Sequence, residues 1–209
     1  MYSPMLKPDA RTKLLDAAIE VIRKQGYAAT SVDELCRKAG VTKGAFFHHF
    51  ESKDALAVAA ANHWSATTGA LFAGADYHDH NDPLDRVLAY IAFRRDLIQG
   101  TPAEFTCFAG TTVQEAFATK DDIRAACEAS IFGHAETLVA DIADAMRKYK
   151  VKGDWTAQSL ALHTQAVLQG AFILAKAKGD AAVARDSADH LRRYIELLFK
   201  GSTKKEQSK

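Results

Sequence analysis

Apolar residues recur at helical spacing along almost the whole chain, and no segment shows the strict alternation typical of a β-strand. Within Ala10–Gln25 the apolar stripe is formed by Leu14, Leu15, Ala18, Ile19 and Ile22. Residues three and four apart share one face of a helix, so this stripe predicts an amphipathic helix that ends at Gly26. Comparable patterns predict an all-α fold of about nine helices and no sheet. The predicted helices cover residues 10–25, 32–39, 42–49, 53–72, 84–99, 103–117, 123–149, 155–178 and 183–200.

The composition is that of an ordinary soluble globular chain. Of the 209 residues, 48% are hydrophobic and 25% are charged, and the net charge is +1. The longest uninterrupted apolar stretch, Ala55–Ala61, is far shorter than the roughly 20 residues of a membrane-spanning helix. Residues 1–11 lack the apolar core of a secretion signal. We therefore expect a cytoplasmic protein with no membrane partner.

Two very short predicted helices lie near the N-terminus, behind a longer first helix. Ser31 and Glu34 have the spacing of a capping box, in which a hydroxyl and a carboxylate satisfy each other's free backbone donors. Gly40 follows the first short helix, where a left-handed backbone is favoured, and Thr42 begins the second. Two short helices joined by such a tight turn are typical of a helix-turn-helix.

The second short helix carries small, cationic and hydrogen-bonding residues on its expected outward side. We expect Leu35 and Phe46 to pack inward against the first helix. The outward residues are Thr42, Lys43, Gly44, Ala45 and His48. Such side chains suit a close approach to DNA. Short helical hairpins with a glycine turn are also common, and the spacing alone leaves both interpretations open.

The segment Gly26–Leu56, which includes AGVTKGAFFHHFESK, resembles the DNA-binding domain of tetracycline-repressor-type (TetR-type) transcriptional regulators. The resemblance covers about residues 8–56. It implies a three-helix DNA-binding domain at 1–56, a helical ligand-binding and dimerisation domain at 57–201, and a frayed tail at 202–209. It also implies a ligand-responsive regulator, in most cases a repressor, that binds a palindromic DNA operator as a homodimer.

The resemblance assigns DNA contacts to individual positions. Thr30 corresponds to a loop threonine that hydrogen-bonds a phosphate, and His49 and Lys53 correspond to residues that fasten the domain to the DNA backbone. Phe47 departs from the family, which usually has tyrosine there. Its ring keeps an apolar contact, for example with a thymine methyl group, but lacks the hydroxyl that reaches a phosphate. The complete predicted set is Thr30, Thr42, Lys43, Gly44, Ala45, Phe47, His48, His49 and Lys53.

Metal and catalytic sites find little support in the sequence. His48 and His49 are adjacent and point about 100° apart around a helix, so they do not chelate one ion together. The loop at residues 76–82 is rich in histidine and aspartate, but no second ligand set at fixed spacing accompanies it. The chain has no Gly-rich phosphate loop and no zinc-protease or esterase motif. We therefore expect no enzyme activity, no metal and no cofactor.

The last two long predicted helices are the expected dimer interface. The helix at 155–178 is apolar around much of its girth, and small residues such as Gly170 permit a close approach. One intramolecular neighbour would not cover so wide a face. Packed against the final helix and the symmetry copies of both, it would form a four-helix bundle with two-fold symmetry.

An effector site is expected among the middle helices of the C-terminal part, which carry more aromatic residues than a simple helix seam requires. A small, largely apolar molecule would bind there, unless the rings merely fill the core. The predicted ligand residues are Phe93, Phe105, Phe108, Thr111, Thr112, Phe132 and His134. Arg94 and Arg95 either face solvent, or one of them lines a pocket for an anionic ligand.

Besides a small helical enzyme without a cofactor, two alternative functions remain open from the sequence. Cys107 and Cys127 lie among phenylalanines, where packing is the default, but they could serve a thiol-based sensor of oxidants or electrophiles on the same scaffold. Cys36, beside Arg37 and Lys38, is better placed to form a thiolate, although we also expect it to turn into the small N-terminal core. The second alternative is a helical carrier or interaction protein without an operator.

Overall fold

The computed structural model describes residues 9–200, and within them every regular element is helical. The prediction of an all-α fold is therefore confirmed. The eleven α-helices are α1 Ala10–Gln25, α2 Val32–Ala39, α3 Lys43–His49, α4 Lys53–Ala73, α5 Pro83–Asp96, α6 Pro102–Phe105, α7 Phe108–Ala116, α8 Asp121–Glu136, α9 Val139–Lys148, α10 Ala157–Lys178 and α11 Ala182–Lys200. A single 3₁₀ turn, Asp76–Asp79, lies between α4 and α5. The predicted frayed tail falls outside the described residues.

The described residues contain eleven α-helices rather than about nine because two predicted helices are each divided. The helix predicted at 103–117 breaks at Thr106, whose backbone is extended with ψ at 156°. The helix predicted at 123–149 breaks near Thr137, whose hydroxyl donates to the carbonyl of His134 at 2.8 Å. Such local side-chain bonds compete with the helical ladder. The apolar spacing continues across both breaks and does not reveal them.

Most of the predicted helix starts and stops are confirmed. Ser31 and Thr42 cap α2 and α3, their hydroxyls accepting backbone N–H bonds at 3.2 and 3.1 Å. Gly40 ends α2 in the left-handed region, with φ at 66°, where a side chain would be strained. Of the predicted capping box, the bond from the Glu34 N–H to the Ser31 hydroxyl forms. The Glu34 carboxylate instead accepts from Gln25 Nε2 at 2.8 Å.

The chain divides into two compact units. The N-terminal unit comprises residues up to Thr67 together with Phe108–Ser130, and the C-terminal unit comprises Thr68–Cys107 together with the residues from Ile131 onward. The N-terminal unit thus includes α7 and most of α8 in addition to α1, α2, α3 and most of α4. The boundary predicted at residue 56 remains a prediction.

The N-terminal unit is held together by a small apolar core. Helix α1 packs against α2, α3 and α7. Leu14, Leu35 and Phe46 are fully buried, and Leu15 is nearly so. Burial of one such side chain contributes about 1.5–3 kcal/mol, so these few residues account for much of the stability of a short three-helix arrangement. They also determine which side of α3 faces outward.

Two apolar clusters lie in the part of the C-terminal unit that the structure describes. The first apolar cluster lies among α5, α9, α10 and α11, and its largest members include Phe72, Tyr90, Ile91, Ile142, Leu168 and Ile195. The second apolar cluster contains Ile98, Phe172 and several alanines, with Phe105 and Cys107 packed against it. Among residues 9–200 no helix is both long enough and apolar enough to cross a membrane.

Candidate nucleic-acid interface

Helix α3 presents one face outward. Lys43, Gly44, Phe47 and His48 are exposed and follow one another at positions that share a side of the helix. Phe46 and its neighbour Phe50 point to the opposite side and are buried. Thr42, at the start of the helix, is also exposed, whereas Ala45 and His49 are partly buried at the edge of this face. Four members of the predicted outward set, Thr42, Lys43, Gly44 and His48, therefore lie on one surface together with Phe47, and we name these five residues the α3 face; Ala45, the fifth predicted member, lies at its edge.

Gly44 is open to its surroundings. A Cβ atom added there would have only Thr42 Oγ1 within 4 Å, at 3.8 Å, which is ordinary contact. The packing of the chain therefore does not require glycine at this exposed helical position. Close approach of another molecule would require it, because a DNA backbone or base edge meets the helix directly where no side chain intervenes.

Phe47 is an unusual residue for an exposed surface, with 52% of its area accessible. Its ring packs edge-to-face against the buried Phe46, with 5.1 Å between the ring centroids. This contact holds an apolar ring in one place on the α3 face. An apolar group at that point can contact a thymine methyl group or a sugar, and has no hydroxyl for a phosphate.

Lys43 forms an exposed ion pair. Its Nζ lies 2.8 Å from Asp33 Oδ1 at the start of α2, and both side chains are largely in solvent. The hydrogen bond that the Lys43 ammonium donates to Asp33 raises the pKa of Lys43 above its ordinary value, so the side chain is a cation at any physiological pH. Exposed pairs of this kind are weak and are screened by salt. A phosphate group can therefore replace Asp33 at little cost.

Lys53 has a different environment from Lys43, although the resemblance to TetR-type regulators predicts a phosphate contact for both. Its Nζ donates to the carbonyls of Tyr27 and Thr30 at 3.0 and 2.9 Å, and lies 4.2 Å from the centre of the Tyr27 ring. Thr30 is buried, and its hydroxyl donates to the Gly26 carbonyl at 2.7 Å. In this structure both side chains organise the loop between α1 and α2. One N–H of the Lys53 ammonium remains for a phosphate.

Glu115, which sequence reasoning missed, also holds this loop. The carboxylate of Glu115, on α7, accepts from the backbone N–H of Ala28 at 2.7 Å. A Cβ atom on Gly26 would clash with Glu115 Oε1, and Gly26 has φ at 93°. Both observations place the carboxylate directly against the loop. Because 87 residues separate Ala28 from Glu115, no local pattern could have indicated this contact.

Asp54 connects the same loop to the start of α8. The hydroxyl of Tyr27 donates to Asp54 Oδ1, and Lys120 Nζ lies 2.7 Å from Asp54 Oδ2. The hydrogen bonds from Lys120 and Tyr27 lower the pKa of Asp54, while burial and the Asp54 carboxylate raise the pKa of Tyr27. Asp54 is therefore ionised and Tyr27 neutral at physiological pH. The loop that leads into α2 is tied to α4, α7 and α8.

The histidine-rich regions show no metal centre in the part of the chain that the structure describes. The His48 and His49 rings meet edge-to-face at 4.9 Å between centroids. In the 76–82 loop, Asp82 caps α5 and accepts from the Tyr149 hydroxyl at 2.6 Å. Within residues 9–200 no three His, Cys, Asp or Glu side chains come together in an arrangement that could hold an ion.

The predicted effector residues are distributed over both units. Phe93 and His134 both contact Phe72 in the C-terminal unit, and Phe105 packs against Phe172 there. Phe132 is 55% exposed. Phe108, Thr111 and Thr112 belong to the N-terminal unit, where Phe108 and Thr112 are fully buried and the Thr112 hydroxyl donates to the Phe108 carbonyl at 2.9 Å. Of the predicted effector residues, three lie in the C-terminal unit and are partly buried there: Phe93, Phe105 and His134.

None of the cysteines forms a disulfide within residues 9–200. Cys36 was expected to be the best placed for a thiolate, but burial, with a smaller contribution from Asp33, raises its pKa. That expectation was wrong, because the neighbouring cations Arg37 and Lys38 point to Glu34 and Glu20 instead. Cys127 is fully buried and Cys107 partly buried.

Comparison with known proteins identifies the class. Residues 14–60 match the family model of the bacterial regulatory proteins of the tetR family, and residues 83–191 match that of the tetracyclin repressor-like C-terminal domain. The second match alone covers more than half of the chain. The chain belongs to the TetR family of DNA-binding transcriptional regulators. Regulators of this family bind DNA operators, act as dimers and respond to small-molecule effectors.

Individual relatives are distant. The transcriptional regulator AcuR of Cereibacter sphaeroides is 27% identical over 157 residues, which cover 74% of this chain and 70% of AcuR. The uncharacterised HTH-type transcriptional regulator YerO of Bacillus subtilis is 34% identical over 56 residues, or 27% of this chain. That shared segment spans only 19% of the length of YerO.

A solved structure has the same fold. The crystal structure of a TetR-family transcriptional regulator from Agrobacterium tumefaciens superposes with a TM-score of 0.78 at 21% sequence identity. The alignment covers 89% of this chain and 97% of that one. At this identity the similarity establishes the fold.

Proposed function

We propose that this protein is a ligand-responsive transcriptional repressor that leaves a palindromic double-stranded DNA operator when a small molecule binds. The observation that carries the proposal is the α3 face, where Gly44 is open, Phe47 is exposed and Lys43 is held only by a surface ion pair. The residues of this helix surface therefore contribute little to the packing of the chain itself. A recognition helix in the major groove uses such a surface, with its first residues at base edges and phosphates.

The proposed homodimer forms through α10 and α11. Leu162, Ile173 and Leu174 on α10 are exposed, as are Tyr194 and Leu197 on α11. Leu174 and Leu197 are accessible over 55% and 68% of their area, although each lies on a long helix whose other side is in the core. Apolar surface of this extent on two adjacent helices favours a protein interface. A two-fold copy would bury it within a four-helix bundle.

The dimer has a geometric consequence for the operator. Two helix-turn-helix units related by a two-fold axis read half-sites separated by about 34–36 Å, which is one turn of DNA. The operator is then a palindrome, or nearly one. An effector releases it only if it binds the DNA-incompetent conformation more tightly, because a ligand with equal affinity for both conformations shifts nothing.

The first test is a gel shift with the DNA that flanks the gene of this protein, with unrelated DNA of the same length as competitor. We expect a complex that resists the competitor at moderate salt. A protein that binds both DNAs equally, or neither, would remove operator recognition from the proposal and favour the carrier alternative.

The second test measures the mass of the protein in solution by light scattering. We expect twice the 22.8 kDa of the single chain. Leu174→Glu places a charge in the proposed interface and should yield monomers with weakened operator binding. Leu71→Glu is the matched control, since Leu71 is 49% exposed on α4, and should remain dimeric. A stable wild-type monomer at micromolar concentration would overturn the dimer.

A further inference from the structure

Arg94 and Arg95 are consecutive on α5 but have different partners. Arg95 Nε lies 2.8 Å from Asp189 Oδ1 on α11, and Asp96 is 3.4 Å from the same guanidinium. Arg94 has no Asp or Glu within salt-bridge distance anywhere in residues 9–200. The charge of Arg95 is therefore compensated by two carboxylates, whereas the charge of Arg94 is not.

Aromatic faces surround the Arg94 guanidinium instead. Its central carbon lies 5.2 Å from the centre of the Phe72 ring and 5.8 Å from that of Phe172. Phe72 belongs to the first apolar cluster and Phe172 to the second, so the partly buried cation lies between them. Cation–π contacts stabilise a guanidinium, but they use none of its five N–H donors.

His134 is the polar neighbour of Arg94, and it brings no negative charge. Arg94 Nη1 donates to His134 Nε2 at 3.2 Å, and the Tyr90 hydroxyl lies 2.9 Å from the same nitrogen. Because a guanidinium only donates, Nε2 carries no proton. Burial, and to a lesser degree the charge of Arg94, lowers the pKa of His134 to about 4. The ring is therefore neutral near pH 7, and two donors share its one lone pair.

The remaining polar group of this site completes a chain of hydrogen bonds. Gln165 Nε2, on α10, donates to the Tyr90 hydroxyl at 3.1 Å, and that hydroxyl can then donate to His134. Tyr90 is fully buried and Gln165 nearly so. This chain holds His134 in place, and with it the orientation of Arg94. The result is an oriented cation in apolar surroundings without a counter-ion.

We propose that Arg94 is the anchor for a carboxylate-bearing effector whose apolar body packs against Phe72, Phe93 and Phe172. A planar guanidinium matches a carboxylate with two parallel hydrogen bonds. A partly buried cation without an anion is costly, and an incoming carboxylate removes that cost. The proposal rests on the proposed function, because it names the chemical class of the effector of a ligand-responsive repressor.

The experiment uses the full-length protein without DNA and measures heats of binding. The probes are straight-chain carboxylates from acetate to decanoate and 3-phenylpropionate, each paired with its neutral amide. We expect at least one carboxylate to bind ten times or more tightly than its amide. If no carboxylate is preferred over its amide, the proposal is wrong.

Two substitutions at Arg94 and one at Arg95 test whether the preference for a carboxylate over its amide depends on Arg94. Arg94→Met keeps an unbranched apolar stem without the charge and should abolish the preference for the carboxylate. Arg94→Lys keeps the charge without the planar fork and should bind the carboxylate with intermediate affinity, which covers the case in which the methionine variant fails to fold. Arg95→Met is the control and should bind like wild type. Equal affinity in wild type and both Arg94 variants would overturn the assignment.

A parallel gel shift separates this site from the proposed function. If the carboxylate binds through Arg94 but the protein recognises no operator, the repressor proposal fails and the site stands. If a neutral molecule releases the operator equally well in wild type and Arg94→Met, the repressor stands and the carboxylate site fails.

Discussion

Two regions of the N-terminal unit, the start of α3 and the start of α4, have the same local sequence, a hydroxyl residue that caps the helix followed by lysine. At α3 these residues are Thr42 and Lys43, and at α4 they are Ser52 and Lys53. The Lys43 ammonium lies in solvent beside Asp33, whereas the Lys53 ammonium donates to two loop carbonyls. The groups that face each helix start, and not the motif itself, therefore determine what its lysine contacts.

Lys53→Ala should have the largest effect of the substitutions at these two helix starts. Without the ammonium, the carbonyls of Tyr27 and Thr30 lose their donor, and we expect the free energy of unfolding to fall by about 1–3 kcal/mol. DNA binding should fall with it for every sequence. Urea denaturation followed by circular dichroism measures the first effect and a gel shift the second. Wild-type stability combined with lost affinity would mean that Lys53 serves the phosphate alone.

Gly44→Ala tests the α3 face without changing a charge. The added methyl group fits the free protein and favours the helix by up to about 1 kcal/mol, so stability should be unchanged or higher. In the complex the same methyl group stands where DNA approaches. An overpacked contact costs about 1–3 kcal/mol, which corresponds to a loss of operator affinity of about fivefold to about a hundredfold.

The control for this variant is Gly69→Ala, since Gly69 is also exposed within a helix and has nothing within 4 Å of an added Cβ atom. It should match Gly44→Ala in stability and wild type in operator affinity. Equal affinities for the two variants would remove Gly44 from the interface.

Lys43→Ala should have the smallest of the three effects. The exposed pair with Asp33 contributes little to folding, so the urea midpoint should stay at the wild-type value. Operator affinity should fall moderately, and the slope of log affinity against log salt should decrease by about one unit, as for the loss of one phosphate contact. The slope is measured by fluorescence anisotropy over a series of salt concentrations. An unchanged slope would mean that Lys43 remains paired with Asp33 on DNA.

Local signals predicted the fold and the outward face of α3 because their physics is local. A cap at Ser31 or Thr42, the left-handed turn at Gly40 and the burial of Phe46 each depend on a few neighbouring residues. The helix breaks at Thr106 and Thr137 escaped prediction because two non-helical residues hardly disturb an apolar stripe.

The environment of Lys53 could not be predicted in the same way. It depends on carbonyls 23 and 26 residues earlier in the chain. The difference between Arg94 and Arg95 likewise arises from Asp189, Phe72 and Phe172, which are distant in sequence. A pattern of spacing identifies which residues share a helix face, but not which side chains from elsewhere meet that face.

The contacts of Glu115 and Lys120 limit how the DNA-binding domain can be exchanged between relatives. A hybrid that keeps residues 1–56 of this chain and takes the rest from another regulator would separate Ala28 from Glu115 and Asp54 from Lys120. We expect such a hybrid to read DNA poorly even when both parents fold well. A graft that also carries residues 108–130 would keep the contacts of the loop between α1 and α2. A recipient with an acidic residue at position 115 and a basic residue at position 120 would keep them as well. The module that can be transferred is therefore discontinuous in sequence.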